Sequence, residues 1–129
     1  MKRLILVILL IILVLSSCSN KSDKNTVGDF LSEDRIYKIV GTTQMINPPR
    51  IEIEIQEEQW DYFCRACESI SITKSEDKAD LNGWQYKFEI EEKSGKTIKI
   101  VFAEHGIDIN GVRYNYSGYD ENAFISMFK

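Results

Sequence analysis

Between Trp84 and Phe102 the chain reads WQYKFEIEEKSGKTIKIVF, two runs of alternation that meet at Lys93-Ser94-Gly95. No other stretch limits the fold as tightly. A period of two puts Tyr86, Phe88 and Ile90 on one face of a strand and Lys87, Glu89 and Glu91 on the other. With Lys93–Gly95 as a three-residue loop and Gly95 at the left-handed bulge position, Glu92 faces Lys96, Ile90 faces Ile98, Phe88 faces Ile100 and Tyr86 faces Phe102. On the opposite face Glu91 meets Thr97 and Glu89 meets Lys99. A two-residue loop would set Ile90 against Lys99, and a one-residue slip carries a whole apolar set into water. The chain must therefore build an antiparallel hairpin with one dry face and find something apolar to cover it.

The rest of the sequence supplies the cover and more strands. Arg35–Thr43 is rich in β-branched and aromatic residues and reads as a strand, broken by Asn47-Pro48-Pro49. Arg50–Gln56 alternates strictly, with Ile51, Ile53 and Ile55 on one side and Glu52 and Glu54 on the other. From Glu57 to about Ser69 the period changes: Trp60, Phe63, Cys64, Cys67 and Ile70 form one stripe of a helix, with Glu57 and Glu58 at its positive end. Ser71–Gly83 is polar, ends in Asn82-Gly83 and reads as a loop. Ile107–Ile109 and Val112–Tyr114 flank Asn110-Gly111, the favoured type I′ pair, so Ile109 faces Val112, Asp108 faces Arg113 and Ile107 faces Tyr114. Asp120 can cap a short helix whose apolar side is Phe124, Ile125 and Phe128. The expected fold is α+β: a mainly antiparallel sheet in the order β-β-α-β-β-β-β-α, with one amphipathic helix on a face and a short C-terminal helix.

The N-terminus carries a different signal. Lys2 and Arg3 precede 12 apolar residues, Leu4–Leu15. That run is too short for an ordinary membrane span of about 20 residues and fits a secretory signal. It ends in Leu15-Ser16-Ser17-Cys18, which resembles the lipobox of bacterial lipoproteins. The resemblance implies a diacylglycerol on Cys18, cleavage just before it, and attachment to the outer face of the cytoplasmic membrane. Two acyl chains, at about 0.8 kcal/mol per buried methylene, anchor stably. The expected organisation is a signal peptide over 1–17, a lipidated Cys18 with a flexible tether over 18–33, and one α+β domain over 34–129. For the tether, residues 19–33 would span roughly 20–25 Å as a flexible coil; the alternative is an ordered leader starting near Val27. Loss of Lys2 and Arg3 leaves 14 basic against 20 acidic residues, a formal net charge of −6. An acidic domain of this kind argues against nucleic acid and leaves membrane attachment to the lipid. Gly83-Trp84-x-Tyr86, Ser94-Gly95-Lys96 and the Ile107–Tyr114 hairpin together resemble a group of extracytoplasmic domains of unknown function in Firmicute lipoproteins, over about 35–129. That resemblance implies no activity.

Few residues point to chemistry. Phe63-Cys64-Arg65-Ala66-Cys67 contains a CxxC, but redox pairs sit at a helix mouth where the dipole lowers the first thiol's pKa. Cys64 lies about two turns into the expected helix, on its apolar stripe, so Cys64 and Cys67 read as buried thiols or a disulfide closing a tiny loop. His105 is the single histidine. With Cys64, Cys67 and Glu104 or Asp108 it would make an incomplete metal set, and it reads instead as a solvated turn residue. No nucleophile elbow, phosphate loop or EF-hand spacing is present. No catalytic residue, cofactor or metal is implied. Trp84, Tyr116 and Tyr119 form the candidate contact patch, because Trp and Tyr are enriched in binding surfaces. The expected function is non-enzymatic: a binding module for a protein, peptide or cell-wall partner. The alternatives are an inhibitor or immunity lipoprotein against a secreted toxin or hydrolase, and a thiol oxidoreductase using the CxxC.

Overall fold

The computed structural model describes residues 25–46, 51–76, 83–117 and 119–129. The expected signal peptide, Cys18, the first part of the tether and the Asn47-Pro48-Pro49 break lie outside the described residues. Seven strands form one antiparallel sheet: β1 (Ile36–Thr43), β2 (Ile51–Glu54), β3 (Ile72–Lys74), β4 (Trp84–Glu92), β5 (Thr97–Ala103), β6 (Gly106–Ile109) and β7 (Val112–Tyr116). They lie in the order β2-β1-β4-β5-β6-β7-β3. Two helices, α1 (Trp60–Glu68) and α2 (Glu121–Ile125), complete an α+β fold.

The two hairpins form in the expected registers. Tyr86 pairs with Phe102, Phe88 with Ile100, Ile90 with Ile98 and Glu89 with Lys99. Gly95 takes φ +89°, the left-handed conformation that its place in the loop requires. In the second hairpin Ile107 pairs with Tyr114, Asp108 with Arg113 and Ile109 with Val112. Asn110 and Gly111 both have positive φ, at 53° and 84°. The Asn110 side chain also accepts from Lys99 N at 2.9 Å, tying this turn to β5.

One face of the sheet is dry. Ile39, Tyr86, Phe88, Ile90, Ile98, Ile100, Phe102, Ile107 and Ile109 are all buried there. From α1, Phe63, Cys64 and Cys67 pack against this layer, and Phe63 lies 4.8 Å from the Phe88 ring. Asp120 caps α2 by accepting from Asn122 N at 3.0 Å. Phe124 then reaches Phe88 at 5.3 Å and Phe102 at 5.0 Å. Burying this many aromatic rings side by side is the main source of stability for so small a domain.

Two expectations are corrected. The Ser71–Gly83 loop begins with a strand: Ile72, Thr73 and Lys74 pair with Tyr116, Asn115 and Tyr114. The element order thus gains a strand after α1. The expected flexible tether over 18–33 is also corrected from residue 25 on, because residues 25–33 are folded onto the domain. Val27 is fully buried, its N–H donates to Ile70 O at 3.1 Å, and a 3-10 turn runs over Val27–Phe30. Asp29 holds the start of that turn by accepting from Asn25 N and Thr26 N at 2.8 and 2.9 Å. Gly28 lies so close to α1 that a Cβ there would fall 2.7 Å from Glu68 N and Cα. Hydrogen bonding, close approach and apolar packing together order this segment: Val27 is buried and the Phe30 ring lies 5.8 Å from that of Tyr114, so the chain near Val27 is ordered as a 3-10 turn.

Candidate functional site

Among the described residues, helices cover one face of the sheet and none packs on the other. Across β1, β4 and β5 that open face carries a shallow groove of about 300 Å³. Val40, Thr42, Glu52, Lys87, Lys99 and Val101 are among its lining residues. Its charges are largely matched internally: Lys99 Nζ lies 3.4 Å from Glu89 Oε1, and Lys87 Nζ lies 4.1 Å from the centre of the Trp84 ring.

Trp84 joins this open face because of an irregularity. It pairs with Ala103 while Tyr86 pairs with Phe102, so one extra residue, Gln85, is inserted. A bulge of this kind re-aims the flanking side chain. Thr43 Oγ1 donates to Gln85 O at 3.0 Å and Gln44 N donates to the same carbonyl at 3.3 Å, which pins the bulge from β1.

The three aromatic residues of the candidate patch are therefore not one surface. Tyr116 and Tyr119 lie with ring centres 5.6 Å apart, tilted at 47°, on the helix-covered side. Tyr119 packs on Phe102 and Phe124 at 5.3 and 5.6 Å, and its hydroxyl donates to Gln85 Oε1. The Tyr116 hydroxyl donates to Ala103 O and Glu104 O, both at 3.0 Å. Burial pushes both phenols up from their ordinary range. Each ties the β5–β6 side of the sheet to its neighbours, and only Trp84 stays on the open face.

The thiols behave as core groups. Cys64 and Cys67 are free and buried. Burial pushes the Cys64 thiol up to about 11, with Glu33, Glu68 and Asp61 adding to the rise. Cys67 is also raised, first by burial and then by Cys64 and Glu68. Glu33 belongs to the folded N-terminal segment, so that segment helps keep the thiol protonated. His105 is 86% exposed, with its ring 3.9 Å from Glu104. Among the described residues no group of three or more His, Cys, Asp and Glu comes together as a metal set. No described helix is long and apolar enough to cross a membrane, and the Leu4–Leu15 run lies outside that description.

Sequence reasoning missed the free edge of the sheet. β2 ends the sheet beyond β1, pairing Glu52 with Thr42, Ile53 with Gly41 and Glu54 with Val40. Alternation marked its two faces but not its position at an edge, which depends on the pairing of distant strands. Comparison with protein-family models, curated proteins and solved structures finds no match to this chain. The fold and site define it as a small α+β domain with a one-sided sheet.

Proposed function

We propose that the chain is a lipid-anchored, non-enzymatic binding module on the outer face of a bacterial cytoplasmic membrane, engaging a protein, peptide or wall component through its sheet. The observation that carries this reading is the one-sided sheet. Among the described residues, a seven-stranded sheet covered by helices on one face leaves a broad, mixed-charge face with a groove and a half-exposed tryptophan that Lys87 overlies. The anchor rests on Leu15-Ser16-Ser17-Cys18. An inhibitor or immunity role is the same reading with an enzyme or toxin as partner. The oxidoreductase alternative has the geometry against it, because a thiol held neutral in a core attacks disulfides slowly.

Two measurements test the proposal. Cells expressing the full chain should incorporate labelled palmitate into it, and Cys18→Ala should abolish the label. Turnover of a disulfide or ester substrate that Cys64→Ser or His105→Ala removes would sink the non-enzymatic reading.

A further inference from the structure

The two edges of the sheet are treated differently. At the β3 edge the N-terminal segment lies alongside. Thr26 bridges Ser71, Ile72 N donates to Asn25 O at 2.9 Å, and Val27 N donates to Ile70 O at 3.1 Å. That edge is already occupied where β3 begins. Beyond β2, by contrast, no described strand follows.

The open hydrogen-bonding groups of β2 can be named. Ile55 N donates to Ile39 O at 2.9 Å, in register with the β1–β2 pairs. Along an antiparallel strand the direction of the backbone groups alternates, so Ile53 and Ile51 also point theirs at β1. Glu52 and Glu54 point theirs outward. Of these, among the described residues, only Glu54 O has a partner, the side chain of Gln56 at 3.3 Å. Among the described residues nothing bonds the Glu52 N–H and C=O or the Glu54 N–H, which leaves them to another strand.

Side chains on β2 state what that strand must be. Glu52 and Glu54 are exposed on the open face, and among the described residues neither is in an ion pair. Ile51 and Ile53 are half-buried on the dry face, against the core. An added strand meets apolar side chains on one face and carboxylates on the other. A second copy of β2 would set glutamate against glutamate, and like charges directly opposite destabilise a pair. Resting on the binding-module reading, the geometry points to the β2 edge as a strand-addition site for an extended cationic segment, in which Lys or Arg alternates with β-branched or aromatic residues. Backbone groups supply affinity, and the alternation supplies specificity. Charge on an edge strand also discourages aggregation, and a purely protective role makes the opposite prediction below.

The test uses the full chain in detergent micelles and an end-capped peptide of about eight residues alternating lysine and valine. Amide hydrogen exchange is followed at single-residue resolution. The expected result is slowed exchange at Glu52 and Glu54, while Ile55, already bonded to β1, is unchanged. N-methylation of the peptide residues that face β2 should abolish the effect while keeping every side chain. Reversing both charges with Glu52→Lys and Glu54→Lys should weaken binding about tenfold, and a glutamate–valine peptide should then bind the reversed protein instead. Both glutamates are exposed, so the variants fold. Absence of binding, or binding that ignores the charge reversal, overturns the proposal in favour of a protective edge. Protection at the Lys87–Lys99 groove instead of β2 also overturns it, yet leaves the binding-module reading standing.

Discussion

Docking of the N-terminal segment is the most exposed claim about the fold, and Val27 and Gly28 test it. Val27 is completely buried, and its truncation to Ala removes two methyl groups from a dry site. At about 0.8 kcal/mol per group, with a contribution from the cavity left behind, the loss comes to about 2 kcal/mol. Gly28→Ala works through the opposite defect. Its new Cβ would sit 2.7 Å from the backbone of Glu68, which cannot swing aside as a side-chain end can. Overpacking against backbone costs about 1–3 kcal/mol. In a domain near 100 residues each kcal/mol moves the midpoint by about 4–8 °C, so Val27→Ala should lower it by about 8–16 °C. Thermal unfolding followed by circular dichroism reads this directly, and urea titration checks it independently. Asp34→Ser, exposed in the following turn, is the control and should stay within about 0.5 kcal/mol. A flexible tether predicts that all three variants behave like the control. Val27→Ala and Gly28→Ala within 0.5 kcal/mol of wild type would refute the docking.

Phe88→Ala should be the most damaging single truncation, by about 3–5 kcal/mol, because Phe88 lies 1% exposed between Phe63 and Phe124; equilibrium unfolding that shows under 2 kcal/mol would contradict it. Both thiols should resist iodoacetamide in the native protein and react fully in denaturant, and a native mass lower by two hydrogens would reveal a disulfide instead. The thiols also set a pH dependence. A pKa raised by folding means the unfolded chain ionises first, so their stabilisation is complete below about 9 and is lost as pH rises toward about 11. Replacing both with Ala should flatten that alkaline fall in urea midpoints. Gly111→Ala, at φ +84°, should cost about 1–2 kcal/mol through the turn alone, measured against the same unfolding baseline.

What was legible in the sequence followed from local periodicity. The β4–β5 and β6–β7 registers depend on alternation within one hairpin and on glycines at positive φ, all of it within about 20 residues. The stripe of α1 was readable for the same reason, so burial of Cys64 and Cys67 could be anticipated. What escaped depends on distant partners. Ile72-Thr73-Lys74 has one buried residue in a polar stretch and becomes a strand only because β7 offers it a ladder. Val27, Phe30 and Leu31 are too few to show a period in a polar stretch, and Gly28 shows its purpose only once α1 lies across it. Trp84 looks like the first member of the Tyr86–Phe88–Ile90 series, and the Gln85 bulge, pinned by Thr43, removes it from that face. Tyr116 and Tyr119 read as surface because two-residue alternation from Tyr114 does not show that their hydroxyls would find Ala103, Glu104 and Gln85.

Folding of residues 25–33 onto the domain changes how a chain anchored at Cys18 would meet a membrane. On the proposed anchoring at Cys18, only residues 19–24 separate the lipid from the folded chain at Asn25. Even fully extended, that link reaches no more than about 25 Å. It joins the domain beside β3, since Ile72 N bonds Asn25 O. β2 lies at the other end of the sheet, six strand spacings away, or about 29 Å along it at about 4.8 Å each. On that anchoring, so short a link at one end would hold that end near the bilayer and turn the β2 edge outward, where a partner strand could approach. A fluorophore on Thr73→Cys, in β3, should therefore be quenched more strongly by headgroup-labelled lipid than one on Glu54→Cys, in β2, when the lipidated chain is reconstituted in vesicles. Equal quenching at the two sites would show that the domain tumbles freely on its leash, and that the fold imposes no outward presentation of β2.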